Sequence, residues 1–194
     1  DGFAWTRLMS ASPPGMRGRA GLALDPASQR LVLFGGSTTA TDTWTWTGTA
    51  WSQVPTTNDP GPHQNLHLVG GGLGALMVST LGNKAGEIWQ LAGTTWSKVG
   101  YAPPAPVAMG STSFVYDAAR GVVVGYGANK TLLFDRRWLQ VTAATSPPAR
   151  LQTLLAWSSL DQKVLLFGGL GPPVLADTWV WNGQDWQARQ PAHS

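Results

Sequence analysis

Residues 31–51 contain Leu31-Val32-Leu33-Phe34-Gly35-Gly36, a Gly-rich loop, Asp42-Thr43-Trp44-Thr45-Trp46, and then Trp51. Residues 164–186 carry the same order: Val164-Leu165-Leu166-Phe167-Gly168-Gly169, a loop, Asp177-Thr178-Trp179-Val180-Trp181, and Trp186. Each piece is short, β-branched or aromatic, and bounded by Gly, Pro, Asn or Asp, so each reads as a β-strand. The first run is apolar on both parities, which suits a strand sandwiched between two neighbouring sheets. In the second, Trp44 and Trp46 share one parity and Thr43 and Thr45 the other, which predicts one buried and one polar face. Thr47-Gly48-Thr49 and Asn182-Gly183-Gln184 predict tight hairpins into a further strand.

The pattern extends along the chain. Five tryptophans, Trp5, Trp51, Trp96, Trp138 and Trp186, recur at spacings of 46, 45, 42 and 48. Before each later copy comes a Pro-rich stretch, a small and apolar segment, and a turn such as Asp25-Pro26-Ala27-Ser28 or Asp117-Ala118-Ala119-Arg120. The unit is therefore a four-stranded antiparallel meander of about 46 residues. One such sheet cannot bury both faces alone, and radial stacking of copies gives a β-propeller. The expectation is an all-β fold of four four-stranded blades forming one domain over 1–194. Its repeats fall at about 9–54, 55–99, 100–141 and 142–189, with an extra N-terminal strand over 3–8.

Leu33-Phe34-Gly35-Gly36 with Asp42-Thr43-Trp44-Thr45-Trp46 and Trp51 resembles a kelch repeat, and the unit around Phe167 resembles it again. The second unit departs from the pattern at Met77-Val78-Ser79-Thr80 but keeps Trp89 and Trp96. The third has Val124-Gly125-Tyr126-Gly127 and puts Thr131 and Leu133 where the third-strand tryptophans belong. Kelch propellers usually have more blades than the four units present. Three closures stay open: a four-bladed ring with an extra edge strand, a segment of a longer propeller, or half of a larger ring completed by a second chain as a homo-oligomer. The kelch-type copper oxidases resembling galactose oxidase need a Cys–Tyr crosslink, and this sequence has no Cys, which excludes that chemistry.

Composition narrows the rest. The 194 residues include 24 Gly, 14 Pro and 11 Trp, and only 12% are charged. That is enough chain for one sizeable core. Glu87 is the single Glu, so solvent-facing helices are not expected. Absent Cys removes disulfides, CxxC metal sites and thiol nucleophiles. No apolar run is long enough to cross a bilayer, so no membrane insertion is expected. The start lacks both Met and a signal-like segment, which predicts a processed or trimmed N-terminus. The net charge is +3 and the basic residues are scattered, with Arg136-Arg137 the one adjacent pair. A phosphate-tracking surface needs clustered charge, so nucleic acid is not an expected partner. Low charge, abundant Thr, Gly and Trp, and absent Cys are similar to bacterial secreted or surface modules, which places the protein outside the cell or on its surface.

Eleven tryptophans suggest sugar stacking, but ten occupy third- or fourth-strand positions that each blade must fill. Trp157 aligns with Leu24 and Tyr116, another packing position. His63 and His67 both fall in a predicted first strand and point to one face, too far apart for one metal ion. No catalytic set assembles from spacing, the Asp residues read as turn and loop formers, and no cofactor is implied. The best ligand candidates come from aligning the units on their turns. Arg17, His63, Met109 and Arg150 fall at one position and Arg19, Asn65, Ser111 and Gln152 at another two residues on. The first strand is innermost in this strand order, so Arg17, Arg19, His63, Asn65, Ser111, Arg150 and Gln152 are expected to form polar rings around the central channel. Such rings would hold an anion or sugar, or would pair with backbone and water. The leading expectation is a non-catalytic recognition or scaffold module that binds a protein or glycan through variable loops on one face, with channel binding second and a lyase or isomerase third. The most variable loops are 35–41, 81–86, 128–129 and 168–176.

Overall fold

Pro, Gly and Asp interrupt the apolar runs so often that none outlasts a strand. The computed structural model describes residues 4–63, 66–81, 84–101 and 112–190, and none of them lies in a helix. The first sheet holds β1 (Gly21–Asp25), β2 (Arg30–Phe34), β3 (Thr43–Trp46) and β4 (Trp51–Val54). The second holds β5 (Leu66–Gly71), β6 (Gly74–Leu81), β7 (Lys84–Ala92) and β8 (Thr95–Tyr101). The third holds β9 (Ser113–Asp117), β10 (Val122–Gly127), β11 (Lys130–Phe134) and β12 (Trp138–Val141). The fourth holds β13 (Leu154–Ser158), β14 (Lys163–Gly169), β15 (Leu175–Trp181) and β16 (Trp186–Arg189). Each sheet is an antiparallel meander in chain order, and together they form a four-blade β-propeller.

The first strands stand side by side, β1 against β5, β5 against β9, and β9 against β13. Glycine permits that approach. A Cβ on Gly70 would fall 1.7 Å from the carbonyl oxygen of Leu24, inside any allowed contact. The meander also sorts the loops. Among the described residues, the β2–β3-type loops and the connections between blades lie on one face of the propeller, and the short β1–β2 and β3–β4 turns on the other. Those turns are held locally: Asp25 accepts the amides of Ala27 and Ser28, and Asp117 those of Ala119 and Arg120.

The core lies between sheets. Ala23, Val32 and Phe34 of the first blade pack with Met77, Leu91 and Trp96 of the second. Val69, Leu76 and Ile88 of the second meet Val123 and Phe134 of the third. Val124 and Tyr126 of the third meet Leu166, Trp181 and Trp186 of the fourth. Among the described residues no such cluster joins the fourth sheet to the first.

Three expectations need correction. Residues 4–8 form no strand where one is expected over 3–8: the segment makes no ladder with the open outer edge of β4. Trp5 is accordingly fully exposed and fills no blade position. The face polarity of β3 is reversed: Thr43 and Thr45 are buried, while Trp44 and Trp46 are only half-buried. The hydroxyl face packs on the second blade, where Trp96 donates its indole N–H to Thr43 Oγ1 at 3.0 Å. Finally, β5 begins at Leu66, so His63 precedes the strand and does not share a face with His67.

Candidate functional site

The glycine pair that ends the second strand organises the polar positions. Gly35 and Gly36 have φ of 71° and 92°, and Gly168 and Gly169 have 60° and 123°. These left-handed values turn the chain out of the strand and present the carbonyls of Gly35 and Gly168 to an arginine. Arg17 donates to Gly15 O at 3.1 Å and Gly35 O at 3.3 Å, and its fork grips the Asp42 carboxylate at 3.2 and 3.0 Å. Arg150 repeats every contact. It donates to Pro148 O at 3.0 Å and Gly168 O at 3.1 Å, and grips Asp177 at 2.5 and 2.8 Å. Trp44 donates its indole N–H to Asp42, and Trp179 donates to Asp177 at 2.6 Å. The result is a bracket that ties the blade entrance, the Gly-Gly turn and the start of the third strand together.

The charges in the bracket are matched. Hydrogen bonds from Arg17 hold Asp42 below the ordinary carboxylate range, and those from Arg150 bring Asp177 down to about 2. All three guanidinium nitrogens of each arginine are already engaged, and the Arg150 side chain has no exposed surface. The guanidiniums face their own blade.

In the second blade the same positions hold His63 and Glu87. His63 is buried and its Nδ1 donates to Gly61 O at 3.0 Å, while Nε2 has no partner among the described residues. Glu87 pairs instead with Lys98 at 2.5 Å and accepts the Trp89 indole at 2.8 Å. Burial pushes the Glu87 carboxyl up, but the bonds from Lys98 and Trp89 outweigh it and leave the value lowered. His67 packs edge-on against Phe114 at 5.3 Å, and burial lowers its pKa.

The other candidates separate from these. Arg19 and Gln152 are exposed and share a left-handed backbone, with φ of 58° and 52°. They are the described members of the expected second ring, while Asn65, Ser111 and Met109 lie outside the described residues. Among the described residues no three His, Asp or Glu side chains converge as a metal site would require.

Asp42 and Asp177, expected only as residues at the third-strand starts, are the partners of Arg17 and Arg150 that sequence reasoning missed. A signal was present. Arginine at the bracket position accompanies Asp at the third-strand start, 25 and 27 residues later, whereas His63 accompanies Glu87 and Met109 accompanies Lys130.

The loop face also carries apolar surface. Leu151 and Leu170 exchange backbone hydrogen bonds at 2.9 and 2.8 Å, which fixes the 170–174 loop against the blade entrance. Leu151, Leu170 and Val174 are nevertheless 44%, 47% and 72% exposed. No protein-family model matches the sequence, and no curated protein matches it.

Proposed function

We propose that this propeller is a kelch-type, non-catalytic recognition module that binds a protein partner through the β2–β3-type loops, with the fourth blade's loop as its anchor. Exposed Leu151, Leu170 and Val174 on a backbone-bonded loop carry this reading. Loops of globular proteins seldom present clustered large aliphatic groups unless something covers them. A loop already fixed by backbone pairing loses little entropy on binding. The loops at equivalent positions differ as recognition loops do: 35–42 is rich in Ser and Thr, while Ala128-Asn129 is a two-residue turn with φ of 50° and 63°. The Arg17–Asp42 and Arg150–Asp177 brackets, with the Gly-Gly turns, support the kelch assignment and serve as struts beneath the loops. An extracellular or surface location is part of the proposal and rests on the low charge and the abundant Thr, Gly and Trp.

Comparative capture tests the proposal. Wild-type protein, a Leu170→Glu plus Val174→Glu variant, and a Leu160→Glu control would be immobilised and exposed to proteins of the source cell and its medium. Leu160 sits on a β1–β2-type turn of the opposite face and is 95% exposed. The reading requires a protease-sensitive species that is retained by wild type and control and lost from the double variant. Equal capture by all three would refute it. Capture that survives protease digestion would point to a glycan instead.

A further inference from the structure

Three groups build the first and third interfaces between blades. At the first, Trp96 donates to Thr43 Oγ1 at 3.0 Å and its ring lies 5.0 Å from that of Phe34. At the third, Trp186 donates to Thr131 Oγ1 at 2.8 Å and its ring lies 5.5 Å from that of Tyr126. The leading blade thus offers an aromatic ring and a hydroxyl from directly paired residues, and the following blade offers an indole. Phe34 pairs with Thr43, Tyr126 with Thr131, and in the fourth blade Phe167 with Thr178.

The fourth blade therefore carries a complete receiving set, and it is uncovered. Phe34 and Tyr126 have no exposed surface, whereas Phe167 is 51% exposed and its strand partner Leu154 is 69% exposed. The first blade carries the complementary half. Trp51 closes its third-to-fourth-strand hairpin opposite Trp46, as Trp96 does opposite Leu91 and Trp186 opposite Trp181. Leu31, Trp46 and Trp51 line a cavity of about 360 Å³. Their counterparts in the second blade, Ala75, Leu91 and Trp96, are buried in one cluster with Phe34. The cavity on the first blade thus stands where an incoming ring belongs, and an unburied ring of that kind stands at the other end of the chain. Thr6 and Leu8 border the cavity without sealing it, for Leu8 is 65% exposed.

We propose that the fourth blade's open face receives the first blade of a second copy of this chain, and that the same contact made in return closes a two-fold ring of eight blades. Phe167 enters the Leu31–Trp46–Trp51 cavity, and Thr178 Oγ1 accepts the Trp51 indole N–H. A head-to-tail contact between opposite ends of one chain closes when it is used twice around a two-fold axis. The surface it covers repeats the design of the first and third interfaces already present. A second chain supplies both missing halves at once.

Light scattering coupled to gel filtration, on the full chain at several concentrations, tests this. The expected mass is twice the 20.6 kDa of one chain. Phe167→Asp and Leu154→Asp should each weaken the pair by about tenfold or more and release the single-chain mass. Their β-sheet circular dichroism should be unchanged, because both side chains are exposed in one chain. Thr178→Val should weaken the pair by several-fold, and Leu160→Asp should leave it intact. A single-chain mass for wild type at all concentrations, a mass above two chains, or a pair that survives both Phe167→Asp and Leu154→Asp would overturn the proposal.

Discussion

The joint between the third and fourth blades and the joint between the second and third solve one packing problem with different chemistry. In the former, Trp186 packs on Tyr126 and its N–H is satisfied by Thr131. In the latter, Val78 and Ile88 stand where the ring and the hydroxyl belong. Trp138 packs on its hairpin partner Phe134 at 5.0 Å, as Trp186 does on Trp181 at 5.3 Å, but its second ring is Phe114 at 5.7 Å, and its Nε1 has no partner among the described residues. Phe114 restores the bulk that Val78 lacks. The difference teaches that apolar volume holds blades together, since both joints are filled. The indole–hydroxyl bond is a separable addition that also fixes the ring's orientation. A buried N–H without a partner costs stability that the apolar contacts at the middle joint must exceed.

The largest way to break this comparison is to remove an indole. Trp186→Ala should cost about 3–5 kcal/mol, read by denaturant unfolding, because a fully buried ring is lost from a closed joint. Arg150→Ala comes next. It leaves the Gly168 carbonyl without its arginine and Asp177 with the Trp179 indole but no cation, and should cost about 2 kcal/mol, below the range for fully buried pairs because Asp177 is partly exposed. Thr131→Val should cost about 1–2 kcal/mol, the penalty for leaving the Trp186 N–H buried and unpaired. Ile88→Thr sharpens the contrast from the other side. A hydroxyl at that position would supply the partner Trp138 lacks, so the change should cost less than an ordinary buried Ile→Thr replacement, or raise the melting temperature outright.

The smallest effect is electrostatic. Asp177 and Asp42 have depressed folded-state values, so their stabilisation is fully present above the ordinary carboxylate value of 3.8. It is lost as pH falls toward about 2, where Asp177 takes up a proton. Thermal melts should therefore fall more steeply over this acid range for wild type than for Asp177→Asn, which has already lost the carboxylate.

Much of this architecture was legible in the sequence because its signals are local. Strand identity came from apolar runs and glycine pairs, and the register places Leu24, Tyr116 and Trp157 at one blade position as the alignment of turns implied. What eluded reading depends on contacts through space. Whether Thr43 is buried is decided by an indole 53 residues away. The segment around Trp5 has strand-like residues, but a strand exists only where a ladder forms, and residues 4–8 form none with the open edge of β4. The charges of Arg17 and Arg150 are visible in sequence, while the carboxylates that pair with them sit at another strand's start.

A double-mutant cycle is the most direct test of the repeated joint. Trp186→Phe and Thr131→Val, measured singly and together, should show a coupling of about 1 kcal/mol. The matching cycle of Trp138→Phe with Ile88→Val should show a coupling near zero. Equal couplings at the two joints, or none at the first, would mean that the indole–hydroxyl contact does not distinguish them.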